Sequence, residues 1–278
     1  MTHEIKLHTT KGRILWLNNE HVTMGIALDY GIRILHLSCP GCDNLLYEQP
    51  EDLSDNLTTP EGWRIYGGHR YWTAPESEKS YYPDNAPIDY ELTDDGVILM
   101  QQPDPWIGLE KQIQIAFRDD GSVLLTHSIR NVTDREIACA SWGVTTFAGG
   151  CNAEIMFDGG TPGSYNPQRH ISLWSNSALT DERISFSQDR IYATHLPKET
   201  SFKIGIFSCA GHACLTNKGQ KFSLSFEADP NGIYPDGGSN FELYLDKNVL
   251  ELEPVGQLRS LAPNEITSHL ECWTISKL

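Results

Sequence analysis

Positive charge is scarce in this sequence. Lys and Arg number 21 against 37 Asp and Glu, which gives a formal net charge of -16 at pH 7. A field of that sign repels phosphate backbones and anionic headgroups. Nucleic acid and membrane surfaces are therefore not expected partners, while a neutral ligand such as an unphosphorylated sugar is compatible. Long apolar runs are missing too, and none approaches the length that spans a bilayer. The start, Met1-Thr2-His3-Glu4-Ile5-Lys6-Leu7-His8, has no apolar segment behind a basic one, so no export signal is expected and a cytoplasmic location is.

Cysteine is sparse and scattered. The count of 7 is odd, which in a reducing compartment reads as free thiols. Cys39 and Cys42, in Ser-Cys-Pro-Gly-Cys, have the spacing of a zinc knuckle. A structural zinc needs a second such pair, and Cys209 and Cys214 are spaced five apart. A tight Pro-Gly turn is the expectation here, with no metal and no cofactor. The familiar catalytic signatures are absent as well: no Gly-x-Ser-x-Gly elbow and no His-Glu-x-x-His. Gly159-Gly160-Thr161-Pro162-Gly163 lacks the strand-then-helix setting of a phosphate cradle.

No window shows a sustained 3.6-residue apolar period, so helices are not expected. Strand patterns run from end to end instead. Glu110 to Phe117 alternates, Asp119-Asp120-Gly121 marks a hairpin turn, and Ser122 to Val132 reads as the return strand. Further apolar-rich runs lie at Arg13 to Leu17, Ile32 to Leu37, Phe202 to Phe207, Phe222 to Phe226, Phe241 to Leu245, Val249 to Glu253 and Leu270 to Ile275. Many short strands with turns between them predict an all-β sandwich or barrel, and 278 residues suit one such domain spanning 1–278. Three stretches break the pattern: Glu48 to Pro87, Gly149 to Asn176 and Asp229 to Asn240. Long irregular loops on a rigid β scaffold often carry function.

The first loop concentrates chemistry. Trp63-Arg64-Ile65-Tyr66-Gly67-Gly68-His69-Arg70-Tyr71-Trp72-Thr73-Ala74-Pro75-Glu76 holds aromatic faces that stack on sugar C–H faces, with Arg, His and carboxylate groups that bond hydroxyls. Taken singly, each aromatic could pack the loop and each Arg could pair at the surface; the cluster points to a binding site. Asn248-Val249-Leu250-Glu251-Leu252-Glu253-Pro254 puts Glu251 and Glu253 on one strand face. Two carboxylates there raise one pKa toward a general-base value, unless the face is merely solvated. In the third loop, Tyr234-Pro235-Asp236-Gly237-Gly238 is a turn sequence whose Asp236 could accept sugar hydroxyls or bond its own backbone.

These residues together resemble the galactose mutarotase-like superfamily, the aldose 1-epimerase fold, along most of the chain. The resemblance is carried by Tyr30-Gly31, Asn44-Leu45-Leu46, the Gly-Gly-His-Arg-Tyr-Trp-x-Ala-Pro-Glu block, Ser128 to Asn131, Ala140-Ser141-Trp142, Tyr234-Pro235-Asp236, Leu252-Glu253-Pro254, Leu261-Ala262-Pro263 and His269 to Trp273. It implies a large β-sandwich, or supersandwich, with a sugar cleft. It also implies an isomerase reaction: Glu253 takes the anomeric proton, a His protonates the ring oxygen, and the ring opens and recloses on the other face. The Glu stands here in the Leu-Glu-Pro context of the family. The family's acid His has no counterpart in Ser141-Trp142-Gly143-Val144-Thr145-Thr146-Phe147. His69 is then the expected acid, with Arg70 bonding oxygen as charge develops and Arg64, Trp72, Trp142, Tyr234 and Asp236 binding the sugar. The alternatives are a non-catalytic sugar-binding module, or a relative of polysaccharide lyases and glycoside hydrolases. All of these residues are expected to line one cleft, with His69 and Glu253 on opposite sides of a pyranose.

Overall fold

The structure, a computed structural model, describes residues 1–50, 62–158, 163, 165 and 168–278. Residues 51–61 of the first long loop and part of the second irregular stretch, including Gly159-Gly160-Thr161-Pro162, lie outside the described residues.

Two large antiparallel sheets face one another. One is 11-stranded. Its strands follow the order Thr2–His8, Gly12–Asn18, Thr23–Ala27, Arg33–Ser38, Gly68–Ala74, Ile137–Ala148, Val249–Pro254, Phe241–Leu245, Phe202–Ile206 and Ile171–Leu173, with Arg259–Leu261 pairing Ile137–Ala148 off this path. The other is 10-stranded and centres on Gln220–Phe226, Ile266–Lys277, Val123–Asn131 and Leu109–Phe117. Regular helix among the described residues is confined to the 3-10 turn Glu78–Tyr81. No helix among them is long and apolar enough to cross a membrane. The expected hairpin is present: Leu109–Phe117 pairs Val123–Asn131, closing at Phe117 opposite Val123.

The core lies between the sheets and draws alternate side chains from most strands, while Thr2–His8 stays exposed. In the central strand Gly68–Ala74 every residue is buried, yet its two faces meet different surroundings. Tyr71 joins the large inter-sheet core, whereas Trp72 packs with Trp63, Trp142, Val144 and Val255 on the outer face of the same sheet. The period-2 geometry of a strand imposes this split. Leu250 and Leu252 point into the core in the same way, while Glu251 and Glu253 point out of it.

The Gly67-Gly68 pair sets the entry to this strand. Both residues have positive φ, 91° and 73°. A Cβ at Gly67 would lie 2.1 Å from the Tyr47 carbonyl oxygen, and one at Gly68 would lie 2.1 Å from that of Ile34. The pair serves close backbone approach, which only glycine permits here.

Candidate functional site

A cleft of about 710 Å³ opens on the outer face of the larger sheet. Its floor is made of alternate residues from adjacent strands: Arg70 and Trp72, Trp142, Val144 and Thr146, Glu251 and Glu253, Tyr244 and Lys203. The first long loop supplies a wall through Trp63, Ile65, Glu76 and Tyr81. Trp72 meets Trp142 edge to face at 5.3 Å and Tyr81 at 5.4 Å. An aromatic lining with a few convergent polar groups is the make-up of a small-molecule site.

Glu253 lies deepest, 1% exposed. Its Oε2 accepts from Trp142 Nε1 at 2.9 Å and from Lys203 Nζ at 3.1 Å, while Oε1 has no partner. Lys203 Nζ also bonds Glu242 Oε2 at 2.8 Å and sits over the rings of Trp142 and Trp174 at 4.6 and 5.0 Å. Burial opposes its charge, but Glu253 and Glu242 outweigh burial and hold it protonated, well above the ordinary lysine range. Burial pushes the Glu253 carboxyl above the ordinary carboxylate range, and Lys203 and Trp142 offset part of that rise. Glu251 lacks such a partner. Thr146 Oγ1 donates to its Oε1 at 2.7 Å. Burial, then the charge of Glu253, push Glu251 up to about 8. Burial thus raises both carboxyl groups on this strand face, and of the two only Glu253 bonds a cationic side chain.

Arg70 lines the cleft with its guanidinium over Trp63 at 4.8 Å and Trp72 at 4.7 Å. It stands opposite Arg33 in the ladder, and like charges so placed repel. Asp84 resolves the conflict: it takes two bonds from Arg33, at 3.0 and 2.8 Å, and one from Arg70 Nη2 at 3.0 Å. Although burial opposes it, the two guanidinium groups hold Asp84 well below the usual carboxylate range. Burial, then Arg33, bring Arg70 down to about 10, so it remains charged at neutral pH.

The structure therefore brings Arg70, Trp72, Trp142 and Glu253 together, and separates other expected members of the site. His69 is the main correction. It is fully buried on the core face of its strand, the face opposite Arg70, and bonds Thr145 and His127. Burial, then the positive field of Arg33, lower it to about 3. A one-residue step along a strand reverses the face, so His69 cannot share the cleft with Arg70 and Glu253. Tyr234 is also elsewhere: it lines a separate depression with Gln257, Arg259 and His269, and its ring packs on Phe207 at 5.4 Å. Arg64 is exposed, and its carbonyl accepts from Arg70 Nη2 at 3.3 Å. Asp236 is half-buried in a left-handed turn, φ 52°, and its carbonyl accepts from the Ser172 and Ser239 hydroxyls at 2.8 and 2.9 Å. Cys39 and Cys42 close the Pro-Gly turn through a Cys42 N–H to Cys39 C=O bond of 3.0 Å.

Lys203 and Glu242 belong to the site without having been singled out from the sequence, and Trp63, part of the loop block, was not named there on its own. The signal for the first two was a lone charge inside an otherwise apolar strand, Phe202-Lys203-Ile204 and Phe241-Glu242-Leu243.

No protein-family profile matches the chain, and no curated protein matches it in sequence. Solved structures do match in fold. A Klebsiella pneumoniae protein with a suggested aldose 1-epimerase activity superposes with a TM-score of 0.66 at 13% identity, over 98% of this chain and 83% of its own. A galactose mutarotase-like protein from Lactobacillus casei gives 0.62 at 10% identity, over 95% and 100%. Another from Clostridium acetobutylicum gives 0.60 at 12% identity, over 100% and 99%. The chain thus has the galactose mutarotase-like β-sandwich fold, as its sequence pattern implied.

Proposed function

We propose that the cleft binds an unphosphorylated sugar and interconverts its anomers, with Glu253 as base and Glu251 as acid. The observation that carries this reading is the unequal environment of the two carboxyl groups on one strand face. Glu253 bonds Lys203 and Trp142 through Oε2, with Oε1 left free for a substrate proton. Glu251 keeps a proton to give. Glu253 takes the proton of the anomeric hydroxyl while Glu251 protonates the ring oxygen. The ring C–O bond breaks to give the open aldehyde, which turns about its C–C bond, and the steps reverse on the other face. Trp72 and Trp63 stack on the sugar, and the Lys203 charge favours the oxyanion form at the anomeric carbon.

The fold likeness to mutarotase-like proteins supports the general kind of ligand. Saturation-transfer NMR of anomeric protons, run over common hexoses and pentoses, tests the reaction. Faster exchange that is lost in Glu253→Gln is the expected result; no acceleration with any sugar rejects the enzyme. A second reading, a sugar-binding module without turnover, is favoured by the exclusion of His69 from the cleft and by the commitment of Glu253 Oε2 to Lys203 and Trp142. Calorimetry separates the two. Binding that persists in Glu253→Gln, in a wild type with no turnover, supports the module.

A further inference from the structure

On the far side of the central strand from the cleft lies a polar cluster sealed in the apolar core. His69 comes from the larger sheet, and His127 and Glu271 come from the facing sheet. All three are fully buried. His69 Nε2 and His127 Nε2 are 2.8 Å apart, and His127 Nδ1 is 3.8 Å from Glu271 Oε1. One donor atom from each residue falls within 4.8 Å of the others.

Three features separate this cluster from an ordinary buried network. One of its acceptor atoms, Glu271 Oε1, has no hydrogen-bond partner. Leaving such an atom unpaired in a core is costly, more so for a charged group. Glu271 also lacks a Lys or Arg partner: among the described residues its ion-pair neighbour is His127, at 3.8 Å. Finally, the outer atoms of the cluster are anchored. Thr145, directly across the ladder from His69, bonds His69 Nδ1 at 2.9 Å and so directs Nε2 inward. Trp273 Nε1 donates to Glu271 Oε2 at 2.8 Å, leaving Oε1 turned toward the histidines. Outer partners of this kind orient metal-ligating imidazoles and carboxylates. The backbone gives way at the same place. A Cβ on Gly143 would stand 2.2 Å from Glu271 Oε1 and 3.3 Å from His69 Cε1, so only glycine admits the carboxylate there.

We infer that His69, His127 and Glu271 bind one divalent transition-metal ion, zinc by their donor chemistry, which links the two sheets through the core. Two imidazole nitrogens and one carboxylate oxygen form a donor set that zinc accepts, with a fourth position open to water. Zinc–nitrogen bonds of about 2.1 Å in a tetrahedron require nitrogen–nitrogen separations of about 3.4 Å. The two rings need only tilt apart by roughly half an ångström from their present contact. The ion would take up the unpaired Glu271 Oε1 and supply the charge that Glu271 lacks. Because its ligands stand at positions 69, 127 and 271, it would close long chain loops.

The test uses the full chain, expressed with added zinc, purified without chelator and passed through gel filtration before elemental analysis. One zinc per chain is expected in the wild type. It is also expected in a His3→Ala, His8→Ala variant, which removes two exposed histidines from the edge strand. Glu271→Gln and His127→Gln should lose it. Because these two changes disturb the core, cobalt(II) is also added to chelator-stripped wild type. The absorption bands of a tetrahedral nitrogen–oxygen site, displaced by one equivalent of zinc, and a higher melting temperature with either ion are expected. A folded wild type that keeps no zinc and shows no such bands overturns the inference. So does zinc retained in folded His127→Gln, or lost from the His3, His8 variant.

Discussion

Trp142 Nε1 donates to Glu253 Oε2 at 2.9 Å, across two neighbouring strands whose outer faces meet at the floor of the cleft. The indole fixes one oxygen of the carboxyl group and leaves the other toward the open space. It ties an aromatic wall residue to the residue assigned as base, so that ring placement and carboxylate orientation are a single property.

Trp142→Phe should keep the wall and release the carboxylate. A hydrogen bond to a charged group is worth roughly 1.5–3 kcal/mol. Anomer exchange should therefore slow by about tenfold or more, given that each 1.36 kcal/mol is a factor of ten. Line-shape or saturation-transfer NMR reads the rate. An unchanged rate in a folded variant would mean that the bond does not orient the base.

Lys203 is the counter-ion of two buried carboxyl groups, so Lys203→Met should cost about 3–5 kcal/mol, the usual penalty for breaking a buried pair. Adding Glu242→Gln should recover part of that loss, because one uncompensated acid is removed. Urea unfolding of the single and double variants measures both. A double variant no more stable than Lys203→Met would show that Glu242 is not the strained partner.

The Glu251 carboxyl has an ordinary value of 4.5 and is raised to about 8 by burial and by Glu253. A raised folded pKa means the native state holds the proton that the unfolded chain has lost. This contribution to stability is full below about 4.5 and is lost as pH rises through about 8. The wild-type melting temperature should fall across that window, and Glu251→Gln should flatten the fall. Turnover should decline on the alkaline side near pH 8, as the proposed acid loses its proton. A Glu251→Gln variant with wild-type rate at all pH values would remove Glu251 from the chemistry.

At Gly68 the obstacle to a side chain is the Ile34 carbonyl, which is backbone and cannot swing away. Gly68→Ala also forces positive φ on alanine, so a loss of well over ~1 kcal/mol is expected. The adjacent Arg70 and Trp72 should move with the displaced strand, and sugar affinity should drop along with stability. Gly150 also has positive φ but has nothing within 4 Å of its would-be Cβ, and serves as the control for backbone strain alone.

Much of the architecture was legible in local pattern, since alternation, turn residues and the absence of helical period are properties of short windows. The hairpin around Asp119–Gly121 is one such case. The site was legible in part. Trp72, Arg70 and Glu253 announced themselves as unusual residues in suggestive company. His69 did too, but which face of a fully buried strand turns toward the core is not written in the strand. Arg70 and Trp72 are as buried as His69 and Tyr71, so no polar–apolar alternation marks the sides. Tyr234 went astray for a different reason: its loop is long enough to deliver it to either of two depressions. Lys203 and Glu242 were hidden because each alone reads as a solvated residue, and only the pairing of their strands brings them together.

The two-sided burial of Gly68–Ala74 has a practical corollary for protein engineering. Tyr244, on the outer side, can be randomised to alter ligand preference without repacking the interior, because its neighbours Leu243 and Leu245 carry that task. A single-residue insertion or deletion in the same strand would do the reverse. It would exchange His69 for Arg70 and Tyr71 for Trp72 at one stroke, emptying cleft and interior together. Libraries built on this scaffold should therefore vary outer positions that hold no site residue and keep the length of this strand fixed.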